Sequence, residues 1–238
     1  MDTWIGTDAP RTHAALARGR LYNFFELALA HPAPEGLEYF RDETTASAYA
    51  SNVIAAAGDA TDALTAALTT GERFFGALRV LDDPQAEAAH INLFSAGFPT
   101  LPCPPYGSLF LVDGDKRLDE MRNIKQFYQR HGFDIDESFD DLPDHLCVEL
   151  EFMQALSFRE YEAMSAGDDA AAQEARAAQS DFLGRFLQPF AAGIARAAAV
   201  QGSENAYASL LGALHDFLRT QRLALETPDA AGSGRRTQ

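Results

Sequence analysis

The residues best placed to do chemistry lie in one short stretch, Asp140-Asp141-Leu142-Pro143-Asp144-His145, and in Glu149 just beyond it. Pro143 suits the first turn of a helix, because its missing N–H costs nothing there. Asp141 or Asp144 can accept hydrogen bonds from the free amides of that turn. The spacing predicts that His145 sits in the same turn. The helix dipole there favours neutral imidazole, while Asp144 and Glu149 favour imidazolium. His145, Glu149 and Phe152 fall along one helix face, and Leu146, Leu150 and Met153 along a neighbouring one.

Three readings fit these residues. The plainest is a helix cap followed by an amphipathic helix. A metal site would use His145 and Glu149, four residues apart, with Asp144. It lacks a second histidine at ligand spacing, and a stable site takes three or four ligands. A general acid or base needs a partner nucleophile, and the sequence holds no Gly-x-Ser-x-Gly, P-loop or Gly-x-Gly-x-x-Gly motif.

The elements that must position this stretch are helical. The periodicity predicts helices over residues 12–30, 35–56, 60–80, 84–94, 113–130, 143–166, 169–200 and 204–225. Asp82-Asp83-Pro84 caps the fourth, and His31-Pro32 ends the first. Residues 95–111 interrupt the pattern with Gly97, Pro99, Pro102, Pro104, Pro105 and Gly107 among apolar residues. Ordered loops of this length inside compact domains are usually functional. The expected fold is all-α, a single helical domain of about eight helices in two loosely divided lobes. Residues 1–132 form the first lobe, 133–142 an acidic hinge, 143–226 the second lobe and 227–238 a disordered tail. The loop is expected to pack on the 143–166 helix.

Composition narrows the function classes. The chain has 238 residues and a formal net charge of −16, which argues against nucleic acid as a partner. Lys116 and Lys125 are its only lysines and aspartate outnumbers glutamate, which fits a solvated acidic coat of the kind salt-loving organisms use. The same charge could attract a basic partner. Two cysteines, Cys103 and Cys147, are too few for a disulfide framework. The sequence shows neither a signal peptide nor a run long enough to span a membrane, so a soluble, cytoplasmic protein is expected.

Two motifs go further. Leu142-Pro143-Asp144-His145 followed by Glu149-Leu150-Glu151-Phe152-Met153 resembles the signature of the TorD/DmsD/NarJ family. Leu93-Phe94-Ser95 followed by Pro104-Pro105-Tyr106-Gly107-Ser108-Leu109-Phe110-Leu111 is similar to that family's Leu-Phe and Pro-Pro-aromatic-Glu-Ser segment. Leu21-Tyr22-Asn23-Phe24-Phe25 has the character of its first helix, so the resemblance covers most of residues 12–225. Gly107 departs from the pattern, standing where the family commonly has glutamate. The resemblance implies a TorD-like, all-helical, cytoplasmic chaperone that is not an enzyme and uses no cofactor or metal. Its partner would be the immature catalytic subunit of a molybdopterin oxidoreductase, held until cofactor insertion and recognised in part through a twin-arginine signal peptide. It also implies a binding surface of Asp144, His145, Glu149, Phe94, Pro104, Pro105, Tyr106, Ser108 and Phe152. Arginine-rich peptides need carboxylates beside an apolar groove, and this set offers both. The competing expectations are a small helical metal- or cofactor-binding protein or enzyme using His145 and Glu149, and a structural subunit of an oxidoreductase complex. A monomer is expected, with a dimer that swaps helices through residues 133–142 as the alternative.

Overall fold

The computed structural model describes residues 9–58, 61–96, 100–135, 141–202 and 205–226, and all its regular structure is helical. Within them run α1 (Ala9–Leu29), α2 (Pro34–Arg41), α3 (Glu43–Ala57), α4 (Thr61–Arg79), α5 (Asp83–Phe94), the single turn α6 (Ser108–Leu111), α7 (Arg117–Arg130), α8 (Leu146–Ala166), α9 (Asp169–Phe182), α10 (Gln188–Val200) and α11 (Ala206–Glu226). Residues 97–99 of the loop, 136–140 of the expected hinge and the 227–238 tail lie outside the described residues.

The helix count exceeds the expected eight for local reasons. Asp42 splits the predicted 35–56 helix, because its carboxylate accepts the Thr44 amide and starts α3. The predicted 169–200 helix becomes α9 and α10, joined by a π-helical segment at Leu183–Leu187. Asp82 forms the expected cap of α5, accepting the Gln85 amide while the Gln85 side chain accepts the Asp82 amide. Gly167 ends α8 in the left-handed region at φ 73°, where glycine carries no Cβ penalty.

One continuous apolar core joins these helices. The most extensive pairings are α1 along α8 and α4 along α11, so helices from either side of residues 133–142 share that core. Aromatic rings dominate two regions of it. Phe24, Phe40, Tyr49, Phe74 and Phe75 pack between α1 and α4, while Phe127, Tyr128, Phe152, Phe182 and Phe186 pack between α7, α8 and α9. The α1–α8 seam also carries buried charge. Arg18 donates to Glu160 and to Gln179, Gln179 donates to Glu160, and Arg176 pairs with Glu160 from its other side. A buried ion pair survives this desolvation only when its hydrogen-bonding capacity is met, as it is here.

The proline-rich loop is held at two places. Its backbone meets the residues just before α8, described below. Its far end sits on α10, where Phe110 lies 5.5 Å from Phe190 and covers Gly193 so closely that an added Cβ would come within 2.8 Å of the Phe110 ring. The expectation that the loop packs on α8 therefore holds for the start of that helix, with α10 as the second support.

Candidate functional site

The α8 helix begins at Leu146, three residues later than predicted, and His145 is its cap. The His145 Nδ1 accepts the Cys147 amide at 3.2 Å, which leaves the ring proton of the neutral form on Nε2. That nitrogen faces the Asp141 carboxylate at 3.7 Å. Burial holds the His145 pKa below its ordinary value, against the opposing pull of Asp141 and Asp144. The neutral imidazole that the cap requires is thus also the form that the burial favours.

Asp144 does not cap α8, as the sequence had suggested it could. Its backbone carbonyl accepts the Gly107 amide at 2.8 Å and its Oδ2 accepts the Ser108 amide at 2.8 Å. The Leu146 amide in turn donates to the Pro105 carbonyl at 2.9 Å. These bonds make a one-step antiparallel bridge between Tyr106 and His145, with the two rings edge to face at 5.4 Å. From α7, the Tyr128 hydroxyl donates to the Pro143 carbonyl at 2.9 Å. The junction is a clamp: the loop, the start of α8 and α7 are tied through backbone groups that would otherwise lack partners.

Behind the clamp lies Glu149. It is fully buried, and neither of its oxygens has a hydrogen-bond partner; Asp144 Oδ1 is likewise buried without one. Burial, then the nearby Asp144 and Glu120, push the Glu149 pKa well above the carboxylate range. Burial without a hydrogen-bond partner thus favours the neutral form of Glu149. Gly107 explains how its carboxyl fits: a Cβ at that position would stand 2.9 Å from Glu149 Oε1 and 3.3 Å from the Phe190 ring. The glycine that departs from the family pattern vacates the space into which Glu149 projects.

The structure brings Asp144, His145, Glu149, Pro105, Tyr106 and Ser108 together, with Pro104 next to them in the loop. Pro104, Pro105, Tyr106 and His145 are half-buried, while Asp144, Glu149 and Ser108 are sealed behind them. Phe94 stands elsewhere, its ring 4.8 Å from His90 and 6.2 Å from Tyr207. Phe152 belongs to the aromatic group of α7 to α9, 4.6 Å from Tyr128. Asp141 joins the site in a role that capping rules alone did not give it: with burial, its hydrogen bond to Tyr106 raises that phenol's pKa. His145 and Glu149 do not converge as ligands, since Nδ1 is occupied by an amide and Glu149 lies behind Gly107.

These features define an all-helical protein whose polar constellation holds a loop against a helix. The family model of the nitrate reductase delta subunit matches residues 54–196, a stretch that contains the loop, the clamp and most of α10. The chain belongs to that family, in accord with the resemblance to the TorD/DmsD/NarJ chaperones. A selenate reductase assembly chaperone protein from Thauera selenatis is 31% identical over 120 residues, 48% of this chain and 60% of that protein. A chlorate reductase assembly chaperone protein from Ideonella dechloratans is 27% identical over 144 residues, 58% of this chain and 69% of that one. The match thus spans less than two thirds of the first relative's length. Among solved structures, a proposed redox enzyme maturation protein from Archaeoglobus fulgidus is 20% identical and covers 75% of this chain and 97% of that one. Its TM-score of 0.35 makes that a weak likeness.

Proposed function

We propose that this chain is a cytoplasmic chaperone that binds the immature catalytic subunit of a molybdopterin oxidoreductase and holds it until its cofactor is inserted. It would recognise that subunit in part through a twin-arginine signal peptide. The family match over residues 54–196 carries the reading, and two relatives named as reductase assembly chaperones support it. No described helix is long and apolar enough to cross a membrane.

In this reading Pro104, Pro105, Tyr106 and His145 form the contact surface at the clamp. Asp144 and Ser108 hold that surface in shape by the bond between them. Glu149 supports it from behind as a neutral acid, and Phe152 belongs to an adjoining apolar wall. Phe94 acts at a distance, by packing α5. A rigid surface spends less free energy on ordering when a client docks.

The word subunit in the family's description favours a second reading, a resident component of a reductase complex. Co-expression with a tagged reductase catalytic subunit separates the two. A chaperone co-purifies with the cofactor-free subunit and is lost once the subunit is loaded. A chain that stays in stoichiometric amount with the loaded, active complex is a resident subunit, and the chaperone reading falls.

A further inference from the structure

The two carboxyl groups that the sequence offered for binding arginine, Asp144 and Glu149, are fully buried behind the clamp. The hydrogen bonds donated by the Gly107, Ser108 and Leu146 amides close the junction in front of them to a guanidinium group arriving from solvent. Acid beside accessible apolar surface is found two residues further along α8, on its other side. Glu149 points inward, whereas Glu151, about 200° around the helix, points out.

Glu151 lines a cavity of about 290 Å³ between α7, α8 and the segment 133–135. Its floor is aromatic, formed by Tyr128 and Phe152. Phe133 and Ile135 wall one side, and Val148 and Ala155, seven residues apart on α8, wall the other. Asp134 stands at the rim with Glu151, and both are exposed. Asp134 accepts one hydrogen bond from Gln129, and Glu151 has no cation partner among the described residues. Negative charge gathers here: burial and then Glu151 raise the Glu26 carboxyl, and after burial Glu151 joins Glu26 and Asp141 in pushing the Cys147 thiol up to about 12. Arg159 stacks 3.9 Å from the Phe133 ring, and its Nη1 is tied to the His131 carbonyl.

We propose that this cavity is the docking site for an arginine-bearing apolar peptide of the client, with its guanidinium groups on Glu151 and Asp134 and a neighbouring apolar side chain between Val148, Ala155 and Phe133. The inference rests on the chaperone reading and names the part of the surface that would take the peptide. Two exposed carboxylates at the mouth of an apolar pocket complement that chemistry. Guanidinium groups bridge carboxylates through paired N–H bonds, which favours arginine over lysine. The volume lies near the lower end of the range for ligand pockets, about 300–1,000 Å³, a size for side chains of a peptide rather than a folded surface.

The test uses the full chain and a labelled synthetic peptide with two adjacent arginines followed by leucine and phenylalanine. Fluorescence anisotropy follows its binding. The doubly neutralised Glu151→Gln/Asp134→Asn chain is expected to bind at least tenfold more weakly, and Ala155→Phe, which fills the cavity, is expected to do the same. Exchanging the peptide's arginines for lysines should also weaken binding. Asp168→Asn/Asp169→Asn, an equal charge change at an exposed turn, should leave affinity within about twofold. Equal losses in both doubly neutralised chains would make the acidic coat the attractor and overturn the proposal, as would unchanged affinity in the Glu151/Asp134 variant or no binding at all.

Other occupants give distinct results. If Arg235→Ala/Arg236→Ala in the chain's own tail tightens peptide binding tenfold or more, the tail is the resident guanidinium source, and the cavity is not a client site. A concentration-dependent dimer that the peptide dissociates makes a second copy the occupant and overturns the proposal equally. Capture of the catalytic subunit by the same preparations judges the chaperone reading separately. Capture that survives the Glu151/Asp134 change sinks the site but not the function; peptide binding without capture does the reverse.

Discussion

Glu149→Gln isolates the buried acid. The fold holds the Glu149 proton more strongly than the unfolded chain does, because burial and then Asp144 and Glu120 raise its pKa. Between the ordinary glutamate value of about 4.3 and the folded value, unfolding releases a proton. The stabilising contribution is therefore full below about pH 4.3 and is lost as pH rises toward the folded pKa. The slope is about 1.4 kcal/mol per pH unit. Glutamine keeps the size of the side chain and removes the titration. The stability difference between the two chains should shift in the variant's favour from pH 5 to pH 7, by no more than about 1.4 kcal/mol for each pH unit. Urea unfolding of both chains at pH 5, 6 and 7 gives the comparison, since the other titrating groups are shared and cancel. Curves that stay parallel within about 0.5 kcal/mol would mean that Glu149 is ionised in the fold and that Gly107 does not shelter a neutral acid.

Gly107→Ala should cost about 1–3 kcal/mol, because its Cβ meets Glu149 Oε1 and the Phe190 ring; a cost under about 0.5 kcal/mol in urea unfolding would refute the close approach. Glu160→Ala strands Arg18 in the α1–α8 seam and should cost about 3–5 kcal/mol by the same assay, whereas a surface-like loss below about 1 kcal/mol would contradict the buried network. Asp144→Ala removes the acceptor of the Ser108 amide, a charge-assisted bond worth about 1.5–3 kcal/mol, so hydrogen exchange at Ser108 should accelerate at least tenfold while amides in the middle of α11 change little. Uniform acceleration throughout would mean that the clamp is not a local device.

Much of the helical plan was legible because local signals and packing agree. The apolar stripe of α1 and the His31-Pro32 stop bracket Ala9–Leu29, and the Asp82 capping box forms as expected. The split at Asp42 was not legible, since an aspartate inside a helical pattern reads equally as an exposed interior residue or as a cap. The π-helical step before Gln188 carries no turn signal; it accompanies the packing of Leu183, Phe186 and Leu187 into the core. At the site, the stretch 141–149 was found but its roles were exchanged. Local rules offered Asp141 or Asp144 as the cap of α8, but His145 takes that place, because the Ser108 amide of the loop engages Asp144 from 36 residues away. Glu149 and Glu151 look alike in sequence, yet one is sealed behind Gly107 and the other faces solvent. Arg18 gave no warning of its burial, because its partners Glu160 and Gln179 come from two distant helices.

A chaperone of this kind must prefer an unfinished reductase subunit to a finished one. The direct measurement is a titration of the purified chain against one molybdopterin reductase catalytic subunit, prepared once without cofactor and once fully loaded, at equal salt. Binding to the cofactor-free subunit should be at least a hundredfold tighter, a difference of about 2.7 kcal/mol. Equal affinity for both forms, or tighter binding to the loaded one, would contradict the chaperone function.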